Sequence, residues 1–230
     1  MAISTREINE AGRHGYLAQP ENARGAVLLL PTMFGVNAFA RGYADALAAA
    51  GLAAVAWDPY DGDPPGSEAD ACRTRARALK DGTVLAALSQ WIDHMRGELR
   101  LDAVGVLGFC LGGRYAILRA AQDPRIAACA IAYPTIESPP LPNQEQDALA
   151  LAARIECPVQ LLQPGHDHVS SPETYAALRR ALRDRTAPTL VQYHPEAEHG
   201  FMHRKEPEAN RRATALASPQ VIAFLKTCLE

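Results

Sequence analysis

The stretch Leu107-Gly108-Phe109-Cys110-Leu111-Gly112-Gly113 decides how the rest of the chain is read. It follows a continuous apolar run, residues 103–107, and precedes residues of helical character, 111–121. G-x-C-x-G-G at a strand-to-helix turn is the nucleophile-elbow pattern with cysteine in the place of serine. Such a turn strains the backbone of its central residue and tolerates only small neighbours. It lifts that side chain over the carboxyl edge of a sheet. It also sets the sulfur at a helix N-terminus, where unpaired N–H groups and the helix dipole favour a thiolate. The N–H of the following residue, Leu111, is placed to hold a developing oxyanion. A tight turn that merely buries a cysteine can have the same residues, so the surrounding sequence has to decide.

Working outward, further short apolar runs occupy residues 26–30, 52–57, 126–131, 159–162 and 189–193. Continuous rather than alternating apolarity marks strands covered on both faces. Helical stretches lie between them. Residues 37–50 end at Gly51, and 68–98 place Leu85, Leu88, Trp91, Ile92 and Met95 at helical spacing. Residues 172–183 follow Ser171 as N-cap with Pro172 in the first turn, and 219–229 close the chain. Strand and helix alternate throughout, which predicts an α/β fold: a mostly parallel central sheet with helices on both faces. Neither the Asp/Gly/Pro-rich stretch 58–66 nor the Pro-rich stretch 133–146 reads as a linker, so residues 1–230 are expected to form a single domain.

A nucleophile elbow is followed in sequence by an acid and then a histidine, each after a later strand. Gly165-His166-Asp167-His168 follows the run 159–162, and Glu198-His199-Gly200-Phe201 follows 189–193. The order Cys110, Asp167, His199 suits a thiol nucleophile, an orienting carboxylate and a general base. Asp167 could instead cap the helix that follows it, but its place in the order favours catalysis. His166, His168, His194, His199 and His203 cluster in sequence. None of them shows H-E-x-x-H spacing and no cysteine joins them at ligand spacing, so neither a metal nor a cofactor is expected.

These residues resemble the dienelactone hydrolase family of the α/β-hydrolase fold. The resemblance runs from about Gly15 to the last helix. It is carried by Phe34-Gly35-Val36-Asn37, Trp57-Asp58-Pro59-Tyr60, the elbow, Gly165-His166-Asp167 and His199-Gly200-Phe201. It implies a Cys110-Asp167-His199 triad, with an oxyanion hole from the N–H groups of Leu111 and Met33. It further implies cleavage of lactones and activated esters through a thioester, without a cofactor. Thr32 stands where relatives have a glutamate that interacts with the resting thiol. Thr32, Phe34, Tyr60, His203 and Arg204 are the substrate-binding candidates; His203 takes the place of a substrate-binding arginine, with Arg204 beside it. Arg73, Arg75 and Arg77 offer further cations, and cations near the site would favour an anionic substrate.

Composition excludes other classes. The 230 residues carry a net charge of -3, which gives no footprint for nucleic acid. No apolar run is long enough to span a bilayer, and the N-terminus lacks the apolar core of a secretory signal. The five cysteines show no C-x-x-C spacing and read as a reduced, cytoplasmic inventory. The expected partner is a small ester or lactone, and the expected assembly a monomer or small homo-oligomer. The rival reading is a non-catalytic or redox-sensing protein of the same fold, with Cys110 as a reactive thiol.

Overall fold

The computed structural model describes residues 2–10, 12–63, 66–137 and 139–230. Its strands are β1 (Ile3–Glu10), β2 (Arg13–Pro20), β3 (Ala26–Leu30), β4 (Ala53–Trp57), β5 (Val104–Phe109), β6 (Ile126–Ala132), β7 (Val159–His166) and β8 (Thr189–Glu198). They form one eight-stranded sheet in the order β1-β2-β4-β3-β5-β6-β7-β8. From β4 to β8 all neighbours are parallel, while β1 and β2 form an antiparallel hairpin on one edge.

The apolar runs at 26–30, 52–57, 103–107, 126–131 and 159–162 occupy the inner strands, where both faces are shielded, whereas the run at 189–193, expected to be covered on both faces, lies on the edge strand β8 with Leu190, Val191 and Tyr193 exposed. Every residue of β3, β4 and β5 is buried. Successive side chains of β3 point to opposite cores, Leu28 and Leu30 to one and Val27 and Leu29 to the other. The helices are α1 (Ala38–Ala49), α2 (Ala69–Ala78), α3 (Asp81–Gly97), α4 (Leu111–Ala120), α5 (Ala148–Ala152), α6 (Pro172–Arg183) and α7 (Glu208–Leu229). Leu88 and Trp91 of α3, Tyr115 of α4 and Leu178 of α6 fill the first core; Leu47 of α1 and Val221 and Leu225 of α7 fill the second.

Three other elements differ from expectation. The β1–β2 hairpin carries no apolar run, since β1 is almost wholly exposed and β2 is half polar. The helix expected over 68–98 is two helices, broken where Leu79 and Lys80 turn extended. The break is held by distant groups: Asn143 donates to the Leu79 carbonyl, and Asp81 takes a buried ion pair with Arg114. The last helix starts at Glu208, and Pro219 lies inside it rather than in its first turn. No helix among the described residues is long and apolar enough to cross a membrane.

Candidate active site

The elbow places Cys110 between the end of β5 and the start of α4, with φ +53° and ψ -114°. A non-glycine residue in this left-handed region persists only when its surroundings hold it there. Here the Cys110 N–H donates to the Ala132 carbonyl at the end of β6, and the Gly112 N–H to the Pro31 carbonyl beyond β3, both at 3.0 Å. The flanking glycines are steric requirements. A Cβ on Gly108 would stand 2.1 Å from the Gly112 carbonyl oxygen, and one on Gly112 2.1 Å from that of Leu30.

Asp167 emerges beyond β7. Its Oδ1 accepts the N–H groups of Val169 and Ser170 at 2.8 and 2.9 Å, and its Oδ2 accepts the Tyr175 hydroxyl at 2.7 Å. His199 follows β8, is 4% exposed, and sets Nδ1 at 3.0 and 2.9 Å from the two Asp167 oxygens. Burial alone would push the Asp167 carboxyl up; His199, the Ser170 N–H and Tyr175 outweigh it and hold the carboxyl below its usual range. Burial likewise pushes the His199 imidazole down, but Asp167 and Cys110 raise it to about 9.

The Cys110 sulfur lies 3.2 Å from the Thr135 hydroxyl oxygen. Burial pushes the thiol up, whereas His199, Thr135 and the Leu111 N–H together bring it below its ordinary value. His199 Nε2 is buried and makes no hydrogen bond among the described residues. The ring therefore has Asp167 on its Nδ1 side and a free nitrogen for proton transfer.

Cys110 and His199 line one cavity of about 380 Å³, together with Thr32, Met33, Phe34 and Leu111. Arg73, Arg77, Arg204 and Glu137 add charge to the walls, and His168 and His203 add imidazoles. Four of the five substrate-binding candidates, Thr32, Phe34, His203 and Arg204, thus lie on the cavity. Tyr60 does not. It is buried, and its hydroxyl donates to the Met33 carbonyl at 2.7 Å, so it braces the loop of Met33 instead of facing the cavity. Arg75 is also turned away, bonded to Asp63 and lying over the Tyr60 ring. Thr32 accepts the Phe34 N–H at 3.3 Å, a contact within its own loop. His203 is pushed down to about 4 by burial, with Arg204 and His199 adding to the effect. It is neutral at physiological pH, and Arg204 supplies the charge at this wall.

Thr135, Ser170 and Tyr175 escape sequence reading. Thr135 sits in a Pro-rich loop with no motif around it, and the two others look like ordinary residues near a helix start. Thr135 reaches Cys110 from 25 residues away, while Ser170 and Tyr175 reach Asp167 from three and eight residues on.

An elbow nucleophile, an acid and a histidine above the carboxyl edge of a mostly parallel sheet define an α/β hydrolase. The chain belongs to the dienelactone hydrolase family, whose profile matches residues 14–229. That makes it a hydrolase acting on lactone or ester bonds. It is 30% identical to the carboxymethylenebutenolidase of Rhodococcus opacus over 194 residues, covering 83% of this chain and 75% of the other. It is 28% identical to the carboxymethylenebutenolidase of Pseudomonas sp. (strain P51) over 228 residues, covering 94% and 90%. A Klebsiella pneumoniae structure assigned to the dienelactone hydrolases superposes with a TM-score of 0.83 at 26% identity, covering 98% of this chain and 99% of that one.

Proposed function

We propose that the protein hydrolyses lactones and activated carboxylic esters of dienelactone type through a Cys110 thioester, with His199 as base and Asp167 as its orienting acid. The observation that carries this reading is the convergence of three groups: Asp167 on His199 Nδ1, a buried Nε2 with no other partner among the described residues, and Cys110 lining one cavity with His199. His199 takes the thiol proton, and the thiolate attacks the ester carbonyl. The N–H groups of Leu111 and Met33 receive the oxyanion. Collapse of the tetrahedral adduct breaks the C–O bond, and the imidazolium protonates the departing alkoxide or enolate. His199 then activates a water, whose attack releases the acid and restores the thiol. Tyr60 supports the oxyanion site by holding the Met33 carbonyl, on the peptide that follows the Met33 N–H.

Three arginines against one glutamate on the walls favour an anionic substrate. The remaining cysteines are free, and a thiolate nucleophile works only where it stays reduced, which fits the cytoplasm.

The decisive experiment compares wild type and Cys110→Ala on a dienelactone and on a p-nitrophenyl ester, with mass spectrometry of the quenched wild-type reaction. Loss of turnover in the variant and an acyl adduct on Cys110 are expected. Equal rates would refute the hydrolytic role of Cys110 and return the thiol to redox chemistry.

A further inference from the structure

The resting thiol has a hydroxyl neighbour besides His199. Its partner is the Thr135 hydroxyl, at 3.2 Å, in the loop after β6. Thr135 is tied to the nucleophile through its backbone as well, since its N–H donates to the Cys110 carbonyl at 3.0 Å. The loop cannot drift from the elbow: a Cβ on Gly113 would stand 2.9 Å from Pro134 Cα, so the two backbones are already in contact.

A second tie leads to the acid. Ser170 is buried, donates its hydroxyl to the Pro134 carbonyl at 2.8 Å, and accepts the Ile136 N–H at 3.0 Å. The same residue gives its backbone N–H to Asp167. Thr135 is thus bracketed by peptides that Ser170 holds, and Ser170 is fixed on the carboxylate that orients His199. The Thr32 hydroxyl oxygen, by contrast, receives the Phe34 N–H within its own loop.

We propose that Thr135 is a further catalytic residue, donating its hydroxyl proton to the Cys110 thiolate and holding the sulfur ready until a substrate carbonyl draws it away. The proton leaving sulfur goes to His199 Nε2; Thr135 keeps its own and exchanges only a hydrogen bond. When the S–C bond forms, the sulfur loses its negative charge and the Thr135 contact weakens, so the hydroxyl is free to swing to water or substrate. The device does for this chain what a carboxylate at position 32 would do differently: it favours the anion by donation, with no added negative charge in the cavity.

The thiol's other titratable neighbours come from several elements. His199 and His203 lie on the loop after β8, Tyr133 at the end of β6, Tyr175 on α6 and Tyr60 in the loop after β4. Arg73, Arg77, Arg204, Glu137 and His168 stand around the cavity. The test must therefore change the hydroxyl and leave these in place.

The inference rests on Cys110 being the nucleophile, but its test needs no substrate. The pH dependence of iodoacetamide labelling is read by mass spectrometry on the Cys110 peptide in wild type, Thr135→Ser, Thr135→Val and Thr135→Ala. A hydrogen bond to a charged group predicts that the labelling midpoint rises by roughly one pH unit in the Val and Ala variants. It stays at the wild-type value in the Ser variant. If Val and Ala titrate like wild type, or Ser moves as far as they do, the proposal is overturned. Should the Val variant fail to fold, the Ala and Ser pair decides. Absent ester turnover with this labelling pattern intact would overturn the hydrolytic reading alone.

Discussion

Asp167 meets His199 Nδ1 with both carboxylate oxygens, at 2.9 and 3.0 Å, while the Val169 and Ser170 N–H groups and the Tyr175 hydroxyl saturate its remaining acceptor sites. A carboxylate held this way cannot turn, so it keeps the His199 ring oriented through Nδ1; in the proposed mechanism Nε2 is then the nitrogen that exchanges protons with sulfur and water. Asp167→Asn replaces an acceptor oxygen by a donor and favours the wrong tautomer. A fall in kcat of roughly 10³–10⁴-fold is expected. Steady-state hydrolysis of an activated ester checks it, and a loss below tenfold would rule out the orienting role.

Tyr175 offers a pH test of the same carboxylate. Because Asp167 is held below its usual range, it contributes stability that is present above the unfolded carboxylate value and lost as pH falls through the folded one. Tyr175→Phe removes one donor and narrows that window. Its melting temperature is expected to fall short of wild type by an amount worth about 1–2 kcal/mol near neutrality, with a smaller difference at low pH where the carboxylate is protonated in both. Thermal melts from pH 2 to 7 measure it; a constant deficit across that range would contradict the assignment.

The lining loop of the cavity is fastened by charge. Arg114 grips Asp81 with two bonds, at 2.6 and 2.8 Å, in a site where both side chains are essentially inaccessible. Arg114 also donates to the Gln146 carbonyl, and Asp81 accepts the Gln146 N–H. Removing one partner strands a buried charge, at a cost of about 3–5 kcal/mol. Arg114→Met is expected to lower the melting temperature by roughly 10 °C, at about 2–4 °C per kcal/mol for a chain of this size. Calorimetry tests this, and a shift under 2 °C would show the pair to be dispensable.

Substrate charge is the third readout. His203 is neutral at physiological pH, so Arg204 is the cation of that wall. Arg204→Ala should raise KM for a carboxylate-bearing lactone about tenfold, the worth of a charge-assisted bond, and leave KM for a neutral ester within about twofold. Equal changes for both substrates would mean that Arg204 acts on the shape of the cavity and not on substrate charge.

Much of the site could be read along the chain because its requirements are local. The elbow needs glycine at 108 and 112 whatever else surrounds it, since the backbone closes to within 2.1 Å of any added Cβ. Central strands need continuous apolar runs because they are covered on both faces. The same logic hides the β1–β2 hairpin, whose exposed positions leave it free of such a run. At the α2–α3 break Gly82 is a local signal, but the extension of Leu79 and Lys80 is held by Asn143 on the Leu79 carbonyl, and Asp81 is anchored by Arg114, both from other elements.

What the sequence determined by itself is the alternating α/β order, the elbow at Cys110, and the candidates for acid and base that follow it. Each is written in neighbouring residues, as periodicity, steric need or spacing. Only the tertiary structure decided which side chains face the sulfur. It turned Tyr60 and Arg75 away from the cavity, neutralised His203 by burial, and brought Thr135 to Cys110 and Ser170 to the Pro134 carbonyl beside Thr135. The Thr135–Cys110, Tyr60–Met33 and Ser170–Pro134 contacts join residues 25 or more apart, the charge state of His203 depends on how deeply it is buried, and neither property exists until the sheet has closed and its loops have packed over the carboxyl edge.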